Sequence, residues 1–205
     1  MNAPTVRGAY ADRKAQTFDN LALRAWVERG EQGFNVVLDS LAMNLGDKRW
    51  ETRMQLQQFA ANDPAQERWH LQADHIDLTP LTALMDSLAP VPPAAAKVID
   101  QLNVTGTLRN VLADYRPHAT DDQKLSFAAN LQQVGFNATH GAPAARNVSG
   151  LISGDLGKGE LRLDSKDFSL HLDPIFAKSW QYLQANALLK WTLDKNTFTL
   201  IHVVL

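Results

Sequence analysis

Along most of this chain apolar and polar residues alternate one for one. That period of two belongs to β-strands with one wet and one dry face. Phe34, Val36 and Leu38 form one such series, with Asn35 between the first two; Met54 and Leu56 flank Gln55; Trp69, Leu71 and Ala73 alternate with His70 and Gln72. A strand cannot leave such a face in water, so the pattern demands a sheet that buries its apolar side or offers it to an apolar ligand. In two places the alternation slips by one residue and then resumes. Phe34-Val36-Leu38 passes to Leu41-Met43-Leu45, and Val104-Gly106-Leu108 passes to Val111-Ala113-Tyr115. About a dozen strands are predicted, joined by connections of ordinary length.

One stretch breaks the pattern. Thr79-Pro80 carries the residue types of a helix N-cap followed by a first-turn proline, and Leu81, Leu84, Met85 and Leu88 follow at helical spacing. Ala89-Pro90-Val91-Pro92-Pro93 stops that helix, and Ala95, Val98, Ile99 and Leu102 repeat the template. The expectation is a short amphipathic helical hairpin near 79–102, set between an N-terminal strand group (1–78) and a C-terminal one (103–205) of one continuous sheet. The clearest β-hairpin runs from Val148 to Leu163, turning at Gly154-Asp155-Leu156-Gly157-Lys158-Gly159. Phe168, Leu170 and Leu172 repeat the alternation beyond it. Phe198 to Leu205 reads as a strand so apolar that it implies a truncated or shifted end.

Composition removes several function classes. With 20 Lys and Arg against 22 Asp and Glu, and no basic cluster, nothing favours nucleic acid. The absence of cysteine excludes thiol nucleophiles, disulfides and cysteine-held zinc. Gly157-Lys158-Gly159 lacks the spacing of a phosphate loop, because a strand and not a helix follows the lysine. His70 and His75, near Asp74 and Asp77, form the only local set resembling metal ligands. In a regular strand they point to opposite faces, which argues for rim histidines. Ser149 and Ser153 do not sit in a nucleophile elbow. The sequence therefore predicts no catalytic residue, no metal and no cofactor.

An ordered series of strings carries a resemblance. Gly141-Ala142-Pro143-Ala144-Ala145-Arg146-Asn147-Val148-Ser149-Gly150, Gly159-Glu160-Leu161-Arg162-Leu163-Asp164-Ser165 and Phe168-Ser169-Leu170-His171-Leu172-Asp173-Pro174 resemble YhdP-type proteins of the AsmA-like superfamily. Arg68-Trp69-His70-Leu71-Gln72-Ala73 before Leu78-Thr79-Pro80-Leu81 fits the same family, as does Leu108-Arg109-Asn110 with Asp114-Tyr115-Arg116-Pro117. The resemblance spans roughly Phe18 to Leu200 and implies an internal segment of a longer, non-enzymatic envelope protein. That protein would be anchored in the inner membrane by a segment outside this chain and would cross the periplasm. Its long, curved antiparallel sheet would form an open trough conducting phospholipid acyl chains between the two membranes. The partners implied are those acyl chains and the rest of the full-length protein.

Groove candidates are Leu161, Leu163, Phe168, Leu170 and Leu172 on the strands, with Leu81, Leu84, Met85, Val98, Ile99 and Leu102 on the helical hairpin. Patterning alone favours the same residues as an ordinary core; the resemblance favours the groove. The alternative is an envelope assembly module that binds proteins by strand addition.

Overall fold

Every strand pairs with its neighbours in sequence, which is the arrangement short connections and alternating faces favour. The computed structural model describes residues 1–8, 15–31, 33–45, 48–60, 66–79, 101–138, 143–171, 178–194 and 197–203. They contain eleven strands: β1 (Asn2–Gly8), β2 (Gln16–Gly30), β3 (Gly33–Leu45), β4 (Lys48–Phe59), β5 (Arg68–Asp77), β6 (Thr105–Tyr115), β7 (Leu125–Phe136), β8 (Ala144–Asp155), β9 (Lys158–His171), β10 (Trp180–Asp194) and β11 (Thr197–Val203). They form one antiparallel sheet in the order β1 to β11, so β1 and β11 lie at opposite edges and the sheet is open.

Register turns the alternation of single strands into two faces of a whole sheet. One row of directly opposed residues reads Val27, Val36, Leu56, Leu71, Ala113, Phe127, Gly154, Gly159, Trp191 and Leu200, from β2 to β11. The neighbouring row on the other face reads Glu28, Asn35, Gln57, His70, Asp114, Ser126 and Asp155, from β2 to β8. At Gly159 the missing side chain is functional in packing terms. A Cβ there would lie 2.2 Å from the Trp191 ring, so the indole covers the glycine and keeps the apolar row closed.

The slips in alternation are real and more numerous than the two read from sequence. In seven strands the apolar row takes one step of three residues: Phe18 to Leu21, Leu38 to Leu41, Ala73 to Ile76, Leu108 to Val111, Leu131 to Val134, Ala145 to Val148 and Ser165 to Phe168. In five of them the residue before the row resumes is left-handed: Asn20 (φ 53), Asn110 (φ 49), Gln133 (φ 50), Asn147 (φ 57) and Asp167 (φ 51). Asn and Asp tolerate that conformation because their short polar side chains bond locally. Such bulges bend a strand and increase its twist, and here they return the apolar residues to the same side.

At several of the bulges the ladder is interrupted, and polar side chains fill the gaps. Ser165 Oγ accepts from the Ser149 N–H at 2.8 Å and donates to the Ser149 carbonyl at 3.1 Å. Ser149 Oγ accepts from the Gln133 N–H at 3.1 Å, extending the stitch across β7, β8 and β9. Asn147 Nδ2 donates to the Asp167 carbonyl, and Thr52 Oγ1 to that of His75. Ser165 and Thr52 are accordingly the two buried polar side chains among the described residues. A buried backbone group left unpaired would cost about 1–3 kcal/mol, so the Ser165 and Thr52 hydroxyls offset that cost where they bond.

Several expectations need correction. The helical hairpin is not among the described elements. Residues 80–100 lie outside them, Gln101 and Leu102 make a helical turn, and Thr79 sits in a turn with its N–H on Asp77 Oδ1. β1 was not anticipated, since Val6 is its one strongly apolar residue. The glycine-rich turn is tighter than read: only Leu156 and Gly157 separate β8 from β9, and Asp155 Oδ1 accepts both the Gly157 and Lys158 N–H groups.

Candidate functional site

Three packed clusters pave the apolar face. Phe18, Met43 and Trp50 are buried together at the β2–β4 end, with Leu21, Leu41 and Met54 against them. Ala73, Val111 and Ala129 form the middle, joined by Met54, Ile76, Leu108 and Ile152. Val134, Ala145, Val148, Leu163 and Phe168 form the third, with Leu108 and Leu131 at its margin. Met54 belongs to the first and second groups and Leu108 to the second and third, so the pavement is unbroken.

Burial on this face is partial. Val36, Leu38, Leu56, Leu71, Ala113, Phe127, Leu131 and Ile152 are half-buried, while Val27 and Leu200 are 70% and 55% exposed. In a two-layer core such positions would be closed by the opposite layer.

The ends of the strands carry aromatic rings, two of them with an anchored indole N–H. At one end Trp50 Nε1 donates to the Asp77 carbonyl at 3.3 Å, and Phe168, Tyr182 and Trp180 form a chain of ring contacts with centroids 6.0 and 6.4 Å apart. At the other, Phe34 meets Trp69 edge-on at 5.2 Å. Glu67 gathers the polar groups there: Gln58 Nε2 donates to it at 2.8 Å, Trp69 Nε1 at 3.2 Å, and His118 Nε2 lies 3.7 Å away. The Gln58 hydrogen bond, with Trp69 and His118 adding to it against some desolvation, holds the Glu67 carboxyl below its ordinary range.

Of the groove residues expected from sequence, Leu161, Leu163, Phe168 and Leu170 are brought together in the third cluster, with Leu163 and Phe168 buried. Leu102 is half-buried in its helical turn, where its carbonyl accepts the Asn137 N–H at 2.7 Å. Leu81, Leu84, Met85, Val98, Ile99 and Leu172 lie outside the described residues. The groove residues expected from sequence fall on the C-terminal strands and the insertion, and the β2–β8 part of the face, above all Phe18, Trp50, Val111 and Val134, is not among them. The three-residue steps were the available signal, because they show that these residues keep to one side.

The polar face holds the remaining candidates. His70 and His75 share it, contrary to the simple strand count, because Ala73 and Ile76 pack in one apolar cluster and that three-residue step reverses the parity between the histidines. Their bonds are to Asp114 (3.1 Å) and Asp74 (3.4 Å) respectively. Among the described residues no group of three His, Asp or Glu side chains is placed to hold a metal ion. No helix of the described residues is long and apolar enough to cross a membrane, which leaves strands aside.

These features define a class: an open β-meander whose distinguishing surface is a whole face, not a cleft. The chain belongs to the YhdP protein family, whose family model matches residues 5–202. No curated protein and no solved structure matches it.

Proposed function

We propose that this chain carries phospholipid acyl chains along the apolar face of its sheet, as a segment of a bridge between inner and outer membranes. The observation that carries the reading is the apolar row from Val27 to Leu200, continuous over ten strands and half-open to the outside. A bend at the bulged strands would make that face the inside of a trough. Acyl chains gain about 0.8 kcal/mol per CH₂ removed from water, so a trough floored by Leu, Val, Ile and Phe holds them without any specific polar contact. It also lets them slide, since no position along the row is much better than the next. Membership of the YhdP family supports this reading, because that family is associated with lipid transport in the cell envelope and is not a known enzyme family. Periplasmic location, the AsmA-like relationship and anchorage in the inner membrane belong to the same proposal.

A second reading, strand addition by a protein partner, is favoured by β11. This edge strand has no proline or charged residue, and its Leu200 and Ile201 are 55% and 51% exposed. The other edge, β1, is blunted by Pro4 and Arg7. Native mass spectrometry of the purified chain separates the two readings. Co-purified phospholipid is the result expected here; a lipid-free chain bound to a stoichiometric protein partner would favour the second.

A further inference from the structure

The apolar face is almost free of charge, and its exception lies at the rim. Among the described side chains on its strands, Arg29 is the only charged one. It is directly opposite Phe34, which is opposite Gln58, which is opposite Trp69. Arg29 is exposed, and no carboxylate among the described residues lies within ion-pair distance of it. It lines a notch of about 530 Å³, together with Val27, Glu31, Phe34 and Gln58, a volume in the range of small-ligand sites. Gly33 gives the notch its shape. Its φ of +127° and the 1.9 Å separation between an added Cβ and the Gln58 carbonyl mean that only glycine lets β3 start this close to β4.

We propose that this notch receives the headgroup of a zwitterionic glycerophospholipid whose tails lie on the apolar face. The inference rests on the acyl-chain reading above and deepens it. A guanidinium matches the two oxygens of a phosphodiester with paired N–H donors, which lysine cannot do. Glu31 brings a carboxylate to the same notch. Together they leave the notch without net charge, which disfavours a purely anionic head and suits one carrying an ammonium beside its phosphate. Val27 and Phe34 continue from the notch onto the apolar row, so head and tails meet contiguous surfaces of opposite character. The neighbouring charges are already committed: Glu67 to Gln58 and Trp69, Glu28 to Asn35 on the opposite face, Arg68 to Asp114.

The test is competition for the full chain by dioctanoyl phosphatidylethanolamine, phosphatidylglycerol and dioctanoylglycerol, read by displacement of a fluorescent fatty acid. Arg29→Gln should weaken binding of both phospholipids by about tenfold and leave dioctanoylglycerol unchanged. Glu31→Gln should shift the preference from phosphatidylethanolamine towards phosphatidylglycerol. Both positions are exposed, so unchanged circular dichroism confirms that the variants fold. An unaltered phospholipid-to-diacylglycerol ratio in Arg29→Gln would overturn the headgroup site while leaving tail binding intact. Failure of the wild-type chain to bind any of the three, dioctanoylglycerol included, would instead overturn the acyl-chain reading and the notch with it.

Discussion

The two faces of the sheet are built on the same backbone, yet they obey different rules. Leu56 and Gln57 are adjacent on β4. Leu56 sits in a row of apolar residues crossing ten strands, and Gln57 in a row of Glu, Asn, His, Asp and Ser. On the polar face, side chains satisfy each other in short local pairs such as Glu28 with Asn35, Asn35 with Gln55 and Arg24 with Asp39. The Glu28–Asn35 and Arg24–Asp39 pairs are exposed and each is worth at most about 1 kcal/mol; the Asn35–Gln55 bond is half-buried. On the apolar face the clusters overlap through Met54 and Leu108, so a change at one point is felt along the row. Stability is therefore concentrated on the face that also carries the proposed function. The polar face keeps that face oriented, and its individual residues are replaceable.

Adjacent substitutions test this most severely. Leu163→Asp puts a carboxylate into the third cluster and should cost about 4 kcal/mol or more, enough to lose the cooperative thermal transition. Arg162→Asp, one residue away on the other face, should change stability by less than about 0.5 kcal/mol. Equal effects at the two positions would erase the contrast between the faces.

Removing a stitch is the next largest effect. Ser165→Ala leaves the Ser149 N–H and carbonyl without their partner and should cost about 1–3 kcal/mol in urea unfolding. The bulges themselves follow: Asn110→Val forces a β-branched residue into a left-handed conformation at a cost of roughly 1–2 kcal/mol, whereas Asn110→Gly should be near neutral. If valine were tolerated as well as glycine, the bulge would not be the device that keeps Leu108 and Val111 on one side.

The smallest effect concerns the rim. Because the folded Glu67 carboxyl titrates below its ordinary value of 4.5, its contribution is fully present above that value and is lost as pH falls through the lower folded pKa. Glu67→Gln should therefore alter Trp69 fluorescence at pH 7, and the difference from wild type should fade once the pH is taken well below 4.5. A difference that persisted unchanged into acid would mean that the carboxylate is not what holds the indole.

The alternation of residues 34–38, 54–56 and 69–73 was enough to read a one-sided sheet, and its slips at Leu38–Leu41 and Leu108–Val111 were visible because long apolar runs flank them. The steps at Ala145–Val148 and Ser165–Phe168 were hidden. Each places a small residue on the inner row, so the period is interrupted exactly where a hydrophobic residue would have marked it. β1 was hidden for a related reason: Asn-Ala-Pro-Thr-Val-Arg-Gly has no alternation to detect, and its place comes from pairing with β2. The rim notch could not be read at all. Arg29 and Gln58 are 29 residues apart in sequence, counting 58 less 29, and only the register through Phe34 makes them neighbours.

A photo-crosslinking amino acid placed in turn at positions 56 and 57 asks which face of the sheet meets lipid, with the chain expressed in a Gram-negative host and the adducts resolved by mass spectrometry. Phospholipid adducts are expected at 56 and few or none at 57. Equal labelling at the two positions, or lipid captured at 57 alone, would contradict acyl-chain carriage on the apolar face.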